Sequence, residues 1–403
     1  SRLESYLAIG HPTDKIELLI LGGSWSAYPA DYREEFIRRC FDAMNSSPSQ
    51  SLDDAHRLNE SASSRNVGLV VETRPDMISP REIVFMRELG VTKVQMGAQS
   101  FDDSILDKNC RGHSVEDSLN AVALLRAAGF KVVLHWMPNL LGATPESDRL
   151  DFQRMWDGGF APDEIKIYPT QLVKEAPLYK LWERGAYAPY TTEQLIDLIA
   201  SIKPSIPEYC RVNRIVRDIP SNYIVAGSRR SSLRQDVQRE LEVRHQRCRC
   251  VRCREIKGKP VDPRTLELRD FEYSPKDSRE HFLSYSTKDD RLAGYLRLSF
   301  PEKSSSPYRE SSRDQLHNLI PELRDAALIR EVHVYGQSLE VGSDQLGAAQ
   351  HSGLGTALLQ KAEKLSMDAG YRKLAVIAAV GTRLYYQNRG FERGQLYMIK
   401  NLG

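Results

Sequence analysis

Short apolar runs alternate with longer segments of helical periodicity along the first half of the chain. The apolar runs predict β-strands at residues 16–21, 67–72, 93–98, 131–137, 164–168 and 211–216. The segments between them predict helices, for example at residues 31–45, 81–90, 115–129 and 192–202. Strands and helices that alternate at this spacing indicate parallel strands in an α/β barrel or a doubly wound sheet.

Glycine and polar residues follow the predicted strands at their carboxyl ends. They are Gly22-Gly23-Ser24, Glu72-Thr73-Arg74-Pro75-Asp76, Gln99-Ser100, Met137-Pro138-Asn139 and Tyr168-Pro169-Thr170. Each alone has an ordinary explanation, because glycine and proline are common turn residues. In α/β barrels, however, functional residues gather at the carboxyl ends of the strands. The succession of such ends therefore predicts a ligand site there.

The pattern changes in the second half of the chain. Residues 263–300 predict the opening strands of a second sheet, with a hairpin formed by residues 280–285 and 292–298. Further on, the pattern predicts a strand at 329–335, a helix at 357–369, a strand at 373–379 and a short helix with Tyr385-Tyr386. Two serine-rich segments, residues 45–64 and 304–312, are predicted as loops.

A glycine motif, Gln350-His351-Ser352-Gly353-Leu354-Gly355-Thr356, lies between the strand at 329–335 and the helix that follows. Its two glycines let the backbone approach a ligand closely, and the N–H groups of the helix start then point at that ligand. This predicts an anion site suited to a pyrophosphate. A plain turn into a helix is the alternative for so short a motif.

The order of a strand, Q-x-x-G-x-G, a helix, a strand and then Tyr385-Tyr386 before Gly390-Phe391 resembles the GNAT acetyltransferase family. The resemblance implies that acetyl-CoA is bound through its pyrophosphate by Gln350, His351, Gly353, Leu354, Gly355 and Thr356. It places the pantetheine arm beside Glu331, Val332, His333 and Val334. Tyr385 or Tyr386 would act as general acid or position the thioester, because a phenol can donate a proton or a hydrogen bond to a departing thiolate. Core packing is the alternative for either tyrosine.

Motifs along essentially the whole chain resemble the family of the Elongator catalytic subunit. They are Gly22-Gly23, Glu72-Thr73-Arg74-Pro75-Asp76, Gln99-Ser100, Arg111-Gly112-His113, Met137-Pro138-Asn139, Arg217-Asp218-Ile219-Pro220, Glu331-Val332-His333-Val334-Tyr335-Gly336 and the glycine motif. The chain is identified as a bacterial or archaeal stand-alone member. The resemblance implies an α/β protein with a radical SAM-type partial (β/α) barrel at residues 1–225. A basic zinc-binding linker at 226–262 and a mixed-sheet α/β GNAT-type acetyltransferase domain at 263–403 would follow.

The implied activity is that of a tRNA wobble-uridine carboxymethyltransferase with tRNA-stimulated acetyl-CoA hydrolysis. S-adenosylmethionine (SAM), cleaved at a [4Fe–4S] cluster, would yield a 5′-deoxyadenosyl radical that takes hydrogen from the acetyl methyl group. The carbon radical would add to uridine C5, and thioester hydrolysis would leave 5-carboxymethyluridine. Gly22 and Gly23 would face the SAM amino group. Lys15 would lie near acetyl-CoA and, with Tyr385 and Tyr386, closest to the thioester, although a solvated surface position is its alternative.

The cluster requires three cysteine ligands, which leave one iron for SAM. The first half of the chain offers no such triplet, because Cys40 and Cys110 are isolated. The resemblance places the cluster loop before the segment that corresponds to Ser1. Either that loop is missing from the sequence or this member has lost it, so no residue is assigned as a cluster ligand.

The composition and length of the chain indicate a globular protein without a membrane span. At 403 residues, with 41% hydrophobic and 27% charged residues, the chain has the composition of an ordinary globular protein and the length for more than one domain. It contains no run of 18 apolar residues, so no membrane span is predicted. The first residues do not resemble a signal peptide, and we expect a cytoplasmic protein.

A basic segment at residues 229–259 contrasts with a net charge of only +2 for the whole chain. It holds eleven lysines and arginines against four acids. A local excess of this kind is typical of contacts with the phosphate backbone of nucleic acid. We therefore expect a tRNA anticodon stem-loop at Arg229, Arg230, Arg234 and Arg252. A solvated helix face is the alternative.

Three of the six cysteines, Cys248, Cys250 and Cys253, lie within this segment at C-x-C-x-x-C spacing. Clustered cysteines in a chain without a signal peptide favour metal over disulfides. Three thiolates at this spacing can close on one Zn²⁺, and a structural site takes a fourth ligand, for which His245, Cys210 and solvent are candidates. A redox or iron–sulfur centre is the alternative.

Two other functions stay open from the sequence. A protein lysine acetyltransferase would use the barrel as a scaffold and needs a carboxylate base, for which Glu331 is a candidate. A non-catalytic module that binds tRNA and senses acetyl-CoA would need no cluster. A homodimer and an assembly with partner subunits are both compatible with the sequence.

Overall fold

The structure is a computed structural model that describes residues 2–215, 219–257, 261–302, 311–335 and 353–403. Contacts between residues group the chain into two compact units. The first comprises Ser1–Gln95, Ala123–Lys131 and Glu255–Gly403, and the second comprises Met96–Val122 and Val132–Arg254. No helix within the described ranges is both long enough and apolar enough to cross a bilayer.

Strands and helices alternate in the first half of the chain, as its apolar pattern predicts. The strands are β1 (Lys15–Ile20), β2 (Arg65–Thr73), β3 (Lys93–Gln99), β4 (Lys131–Trp136), β5 (Glu164–Ile167), β6 (Leu172–Val173), β7 (Arg211–Ile215) and β8 (Ile224–Ala226). The helices are α1 (Arg2–Ala8), α2 (Ala30–Asn45), α3 (Leu52–Asn59), α4 (Pro80–Glu88), α5 (Asp103–Lys108), α6 (Val115–Ala127), α7 (Pro145–Asp157), α8 (Leu178–Glu183), α9 (Thr192–Ile202), α10 (Leu233–Val243) and α11 (Val251–Arg254).

Six of these strands form one sheet in the order β1-β2-β3-β4-β5-β7, and β6 pairs with β8. The pairs β1–β2, β4–β5 and β5–β7 are parallel. Strands β3, β4 and β5 are buried along nearly their whole length, as expected of parallel strands covered on both faces. The six predicted strands are confirmed, each to within two residues of the observed ends.

The first predicted serine-rich loop is wrong, because α3 lies within it. The hydroxyl of Ser51 caps this helix by accepting a hydrogen bond from the N–H of Asp54 at 3.2 Å. At the other end, Asn59 Nδ2 donates to Asn45 Oδ1 at 2.8 Å. The polar residues of this segment therefore cap a helix and bond within the fold, instead of forming a solvated loop.

A mixed sheet follows in the second half of the chain. Its strands are β9 (Glu267–Tyr273), β10 (Ser278–Ser286), β11 (Leu292–Pro301), β12 (Ala326–Val334), β13 (Lys373–Val376), β14 (Glu392–Arg393) and β15 (Met398–Asn401). Its helices are α12 (Ser312–Leu319), α13 (Leu354–Asp368) and α14 (Arg383–Gln387). The strand order is β14-β15-β13-β12-β11-β10-β9, with β12 and β13 parallel and the other pairs antiparallel.

The partial barrel followed by a mixed sheet confirms the predicted α/β fold class, and β10 and β11 form the predicted hairpin. Most of the second predicted serine-rich loop, residues 304–310, lies outside the described residues. One apolar cluster joins Leu358 and Ala362 of α13 to Ile329 of β12 and to Tyr386 of α14. This core fixes the starts of α13 and α14 beside β12, where the candidate site lies.

Candidate active site

Strand β12 is irregular where the sequence places the pantetheine arm. Arg297 of β11 pairs with Glu331, whereas the next residue, Leu298, pairs with Ile329. Arg330 is therefore an extra residue on β12, which makes a β-bulge. The ladder between β12 and β13 ends at Ile329, although β12 continues to Val334. Strand β13 ends at Val376, the partner of Ile329, so β12 runs on beyond it; we call this end of the sheet the opening.

Helix α13 begins at this opening. Its N-cap residue is Gly353, whose φ of +76° is a left-handed conformation that favours glycine. A Cβ built on Gly355 would lie 2.6 Å from Tyr385 Oη and 3.8 Å from Val334 Cγ2. The end of β12, the start of α13 and α14 therefore meet at one place. N–H groups of a first helical turn suit an anion there, as the glycine motif predicts.

Arg389 joins the helix start to Tyr385. Its Nε donates a hydrogen bond to Thr356 Oγ1 at 3.3 Å, and its guanidinium carbon lies 3.7 Å from the centre of the Tyr385 ring. Sequence reasoning missed this arginine, because no motif marks it. Leu354 is buried. Two further residues of the glycine motif, Gln350 and His351, lie outside the described residues.

The two candidate tyrosines have different environments. Tyr386 is 7% exposed and packs in the core against Phe391, and burial raises the pKa of its phenol well above the usual range. Tyr385 is 36% exposed, and burial of the remainder raises its pKa as well. Both phenols are protonated at neutral pH and can donate a hydrogen bond. The structure places the hydroxyl of Tyr385 beside Gly355 at the start of α13.

The carboxylate of Glu331 is held by three donors. Lys131 Nζ and the hydroxyl of Tyr295 donate to Oε1, the latter at 2.9 Å, and Arg297 Nε donates to Oε2 at 2.9 Å. Burial by itself would raise the pKa of Glu331, but the charges of Lys131 and Arg297 hold it well below its usual range. The carboxylate is ionised and is a poor proton acceptor.

The other residues of the predicted pantetheine strand line the opening. Val332 and Val334 are half-buried, and His333 is exposed. The His333 ring stacks on Tyr295 with centroids 5.6 Å apart and lies 4.4 Å from the ring of Tyr335. The strand therefore ends in a cluster of aromatic rings.

Lys15 is exposed at the first position of β1 and pairs with Arg65 of β2. A Cβ built on Gly381 would lie 2.6 Å from Arg65 Cβ. The starts of β1 and β2 are therefore next to the turn that leads into α14, in the same unit. Gly22 and Gly23, after β1, have φ values of +115° and +143°, and a Cβ on either would meet no atom within 4 Å. Their backbone can be approached closely by a ligand.

The three clustered cysteines come together in the second unit. The ligand atoms of Cys248, Cys250 and Cys253 all lie within 4.8 Å of one another, and the first two residues are buried. Sulfurs around one tetrahedral Zn²⁺ lie about 3.8 Å apart, so the three suit a single ion. Among the described residues this is the one such group, and His245, a candidate fourth ligand, is exposed and outside it.

The arginines of the basic segment divide into two kinds. Arg254 is buried and donates to the carbonyl oxygens of Arg249 and Glu208, each at 2.9 Å. Arg234 is half-buried and donates to Val212 O at 3.0 Å. Of the other residues predicted to contact nucleic acid, Arg229 and Arg230 are exposed and Arg252 is half-buried like Arg234. Part of the positive charge therefore stabilises the fold around the cysteines.

Two protein-family models match the chain. The Radical SAM superfamily model matches residues 4–152, and the Radical_SAM C-terminal domain model matches residues 162–243. Both matches end before β9. The partial barrel formed by the six-stranded sheet is therefore of the radical SAM type.

Known relatives cover the mixed sheet as well. The tRNA uridine(34) acetyltransferase of Dehalococcoides mccartyi is 42% identical over 100% of this chain and 86% of its own length. Elongator complex protein 3 of Danio rerio is 36% identical over 100% of this chain and 72% of its own length. Among solved structures, the archaeal Methanocaldococcus infernus Elp3 with an N-terminal deletion matches with a TM-score of 0.90 at 38% identity, covering 100% of this chain and 93% of that chain.

Proposed function

The chain belongs to the family of the tRNA uridine(34) acetyltransferases and Elongator complex protein 3, and from this premise we propose that it converts the wobble uridine of tRNA to 5-carboxymethyluridine with acetyl-CoA as acyl donor. Family membership makes it an acyltransferase of the radical SAM superfamily. The observation that best supports acetyl-CoA is the opening beside β12, where the bulged strand, the glycine start of α13 and Tyr385 meet. A strand that runs on past its neighbour toward a helix N-terminus suits a long thioester arm with an anionic end.

Each group at the opening has a proposed role. Residues 331–334 line the pantetheine arm, and the first turn of α13, from Gly353 to Thr356, binds the pyrophosphate. Tyr385 donates a hydrogen bond to the departing thiol, and Tyr386 supports it from the core. Lys15, from the neighbouring strand β1, offers its ammonium to a carbonyl or phosphate oxygen.

SAM and a [4Fe–4S] cluster follow from membership of the radical SAM superfamily, and SAM when bound supplies the radical chemistry. Gly22 and Gly23 fit the SAM amino group, because their positive φ and open surroundings let a ligand approach the backbone. We assign Cys248, Cys250 and Cys253 to zinc. Within the described ranges they are the one set of three clustered thiols, so cluster ligation is assigned to no described residue.

tRNA is proposed to contact the basic segment through Arg229, Arg230, Arg234 and Arg252. A zinc ion at the cysteines would hold this segment in place, because a metal bound by three thiolates cross-links the residues that carry them. We further propose that residues 1–225, 226–262 and 263–403 act as the barrel, the linker and the acetyltransferase modules. A protein lysine acetyltransferase with Glu331 as base is disfavoured, because its carboxylate is already bonded to three donors.

Acetyl-CoA hydrolysis with and without tRNA tests the proposal. We expect tRNA to stimulate turnover by the wild type. Tyr385→Phe should lower kcat by about 10- to 100-fold with little change in KM, because the thiol loses its hydrogen-bond donor. Tyr386→Phe should lower it less. Turnover that ignores tRNA and responds to a lysine peptide would instead identify a protein acetyltransferase.

A further inference from the structure

Two consecutive residues of β12 form hydrogen bonds with two consecutive residues at the start of β4. Arg330 donates to the carbonyl oxygen of Phe130 at 2.9 Å, and Glu331 accepts a hydrogen bond from Lys131 Nζ. In a regular strand, neighbouring side chains point to opposite faces. The extra residue at Arg330 breaks that alternation, so both side chains reach the same short segment. All four residues belong to the first unit.

The lysine end of this contact is well buried. The side chains of Lys131 and Glu331 are 16% and 8% exposed, so their attraction is little screened by water. Arg297 and Tyr295 hold the same carboxylate from β11. Lys131 is therefore the donor that ties Glu331 to the start of β4, while Arg297 and Tyr295 tie it to β11. Without it, only the two donors on β11 would position the carboxylate.

We propose that Lys131 is a positioning residue for the acetyl-CoA site, an inference that rests on the proposed function. Lys131 acts through Glu331, with which the predicted pantetheine strand begins. By fixing that carboxylate it sets the path of residues 331–334 past the bulge, and so the shape of the opening beside β12. Its loss should weaken ground-state binding of the thioester arm more than it slows the chemical step.

The test compares Lys131→Met, Lys131→Arg and Lys93→Met. Lys131→Met keeps the aliphatic stem and removes the charge, whereas Lys131→Arg keeps a cationic donor. Lys93 is a matched control: it is 11% exposed and bonds Glu17 at 2.7 Å in the same unit. Dissociation constants for acetyl-CoA are measured by calorimetry, and kcat and KM by tRNA-stimulated hydrolysis.

We expect Lys131→Met to raise Kd and KM for acetyl-CoA by about tenfold with kcat within about twofold of wild type. Lys131→Arg should restore most of the affinity, and Lys93→Met should bind like wild type even if it melts earlier. Wild-type affinity in Lys131→Met, or an equal loss in Lys93→Met, would overturn the positioning role and leave the proposed function standing. A wild type that binds no acetyl-CoA would overturn both.

The positioning role can be tested even if Lys131→Met misfolds. If Lys131→Met fails to fold, Lys131→Gln retains a neutral hydrogen-bond donor on a shorter stem. We expect Lys131→Gln to weaken acetyl-CoA binding by about threefold, which is less than the effect expected when the donor is removed. An unchanged Kd in a folded Lys131→Gln would overturn the role.

Discussion

The hydroxyl oxygen of Tyr385 lies 2.6 Å from the position that a Cβ on Gly355 would occupy. An alanine at this position must therefore displace the phenol from the start of α13. Because Gly355 lies within the helix and not at a positive φ, alanine should itself favour the helix by about 1 kcal/mol. We predict that Gly355→Ala weakens acetyl-CoA binding at least about tenfold without lowering the unfolding midpoint, as measured by calorimetry and thermal melts.

The double variant Gly355→Ala, Tyr385→Phe supplies the control for this contact. Removing the hydroxyl leaves the ring carbon Cζ as the nearest tyrosine atom, 3.8 Å from the built Cβ, which is ordinary van der Waals contact. Binding should therefore recover toward wild type while hydrolysis stays low. If the single variant binds as well as wild type, the close approach of Gly355 and Tyr385 does not shape the site.

A buried carboxyl under the loop after β4 should make stability depend on pH. Asp148 Oδ2 accepts hydrogen bonds from the N–H of Asn139 and the hydroxyl of Tyr190, both at 2.8 Å. Burial raises the pKa of Asp148 from 3.8 to about 7, against the effect of these two bonds. The folded protein therefore holds this proton more tightly than the unfolded chain. The resulting stabilisation is present at low pH and is lost as pH rises through about 7.

Asp148→Asn should remove this dependence, because the amide oxygen can accept the same bonds without a charge. We expect the variant to be the more stable protein already at pH 5.5, and its advantage to grow by about 2 kcal/mol between pH 5.5 and 8, because each pH unit below about 7 costs the wild type about 1.4 kcal/mol. Urea unfolding between pH 5.5 and 8 measures the difference. Glu146→Gln, whose side chain is 78% exposed in wild type, should not change the slope. Parallel slopes for Asp148→Asn and wild type would refute the burial argument.

The same loop shows where reasoning from the sequence stops. Asn139 follows a predicted strand and resembles a ligand-facing residue, yet its Oδ1 accepts hydrogen bonds from Tyr190 N at 2.7 Å and the hydroxyl of Tyr187 at 3.2 Å. These partners lie about fifty residues along the chain. The spacing of residues within one loop carries no information about contacts with residues so far along the chain. The sequence therefore predicts the loop but not the hydrogen-bond partners of the Asn139 side-chain amide.

Features set by neighbouring residues were predictable, and features set by distant packing were not. Apolar periodicity predicted the strands of the half-barrel and the helix of α13, because each depends on residues within one element. The bulge at Arg330 depends on the register between β11 and β12, which are separate elements. Beside this bulge Lys131 donates a hydrogen bond to Glu331, two hundred residues further along the chain. Lys131 lies in no motif of the sequence, and the motif that contains Glu331 does not indicate its partner. The position of Arg389 over Tyr385 escaped prediction for the same reason.

Metal analysis should distinguish zinc from iron at the clustered cysteines. Cys250 is fully buried within the group, so Cys250→Ser should lose the metal and lower the unfolding midpoint. We expect about one zinc per chain in the wild type. Cys40→Ser is the control, because Cys40 is a partly buried free thiol outside the group and is not a candidate ligand. Stoichiometric iron with visible absorbance, lost in Cys250→Ser, would replace zinc by an iron–sulfur centre.

Charge at the start of the basic segment should govern tRNA affinity. Arg229 and Arg230 are exposed, so each can contact a phosphate without disturbing the core. We expect Arg229→Ala and Arg230→Ala each to weaken tRNA binding, and each to reduce the slope of log Kd against log salt by about 0.7 to 1, the value for one phosphate contact. Filter binding at several salt concentrations measures both quantities.

Arg264→Ala is the control for this experiment. Its side chain is 89% exposed and paired with Asp262 at 2.8 Å, outside the segment 229–259. A general effect of net charge would weaken binding equally in all three variants, since each loses one positive charge, and the slope would change alike. A local contact changes only the two variants in the segment. Equal effects in all three variants would therefore show that Arg229 and Arg230 do not contact tRNA. The other arginines of the segment would then remain as candidates for the contact.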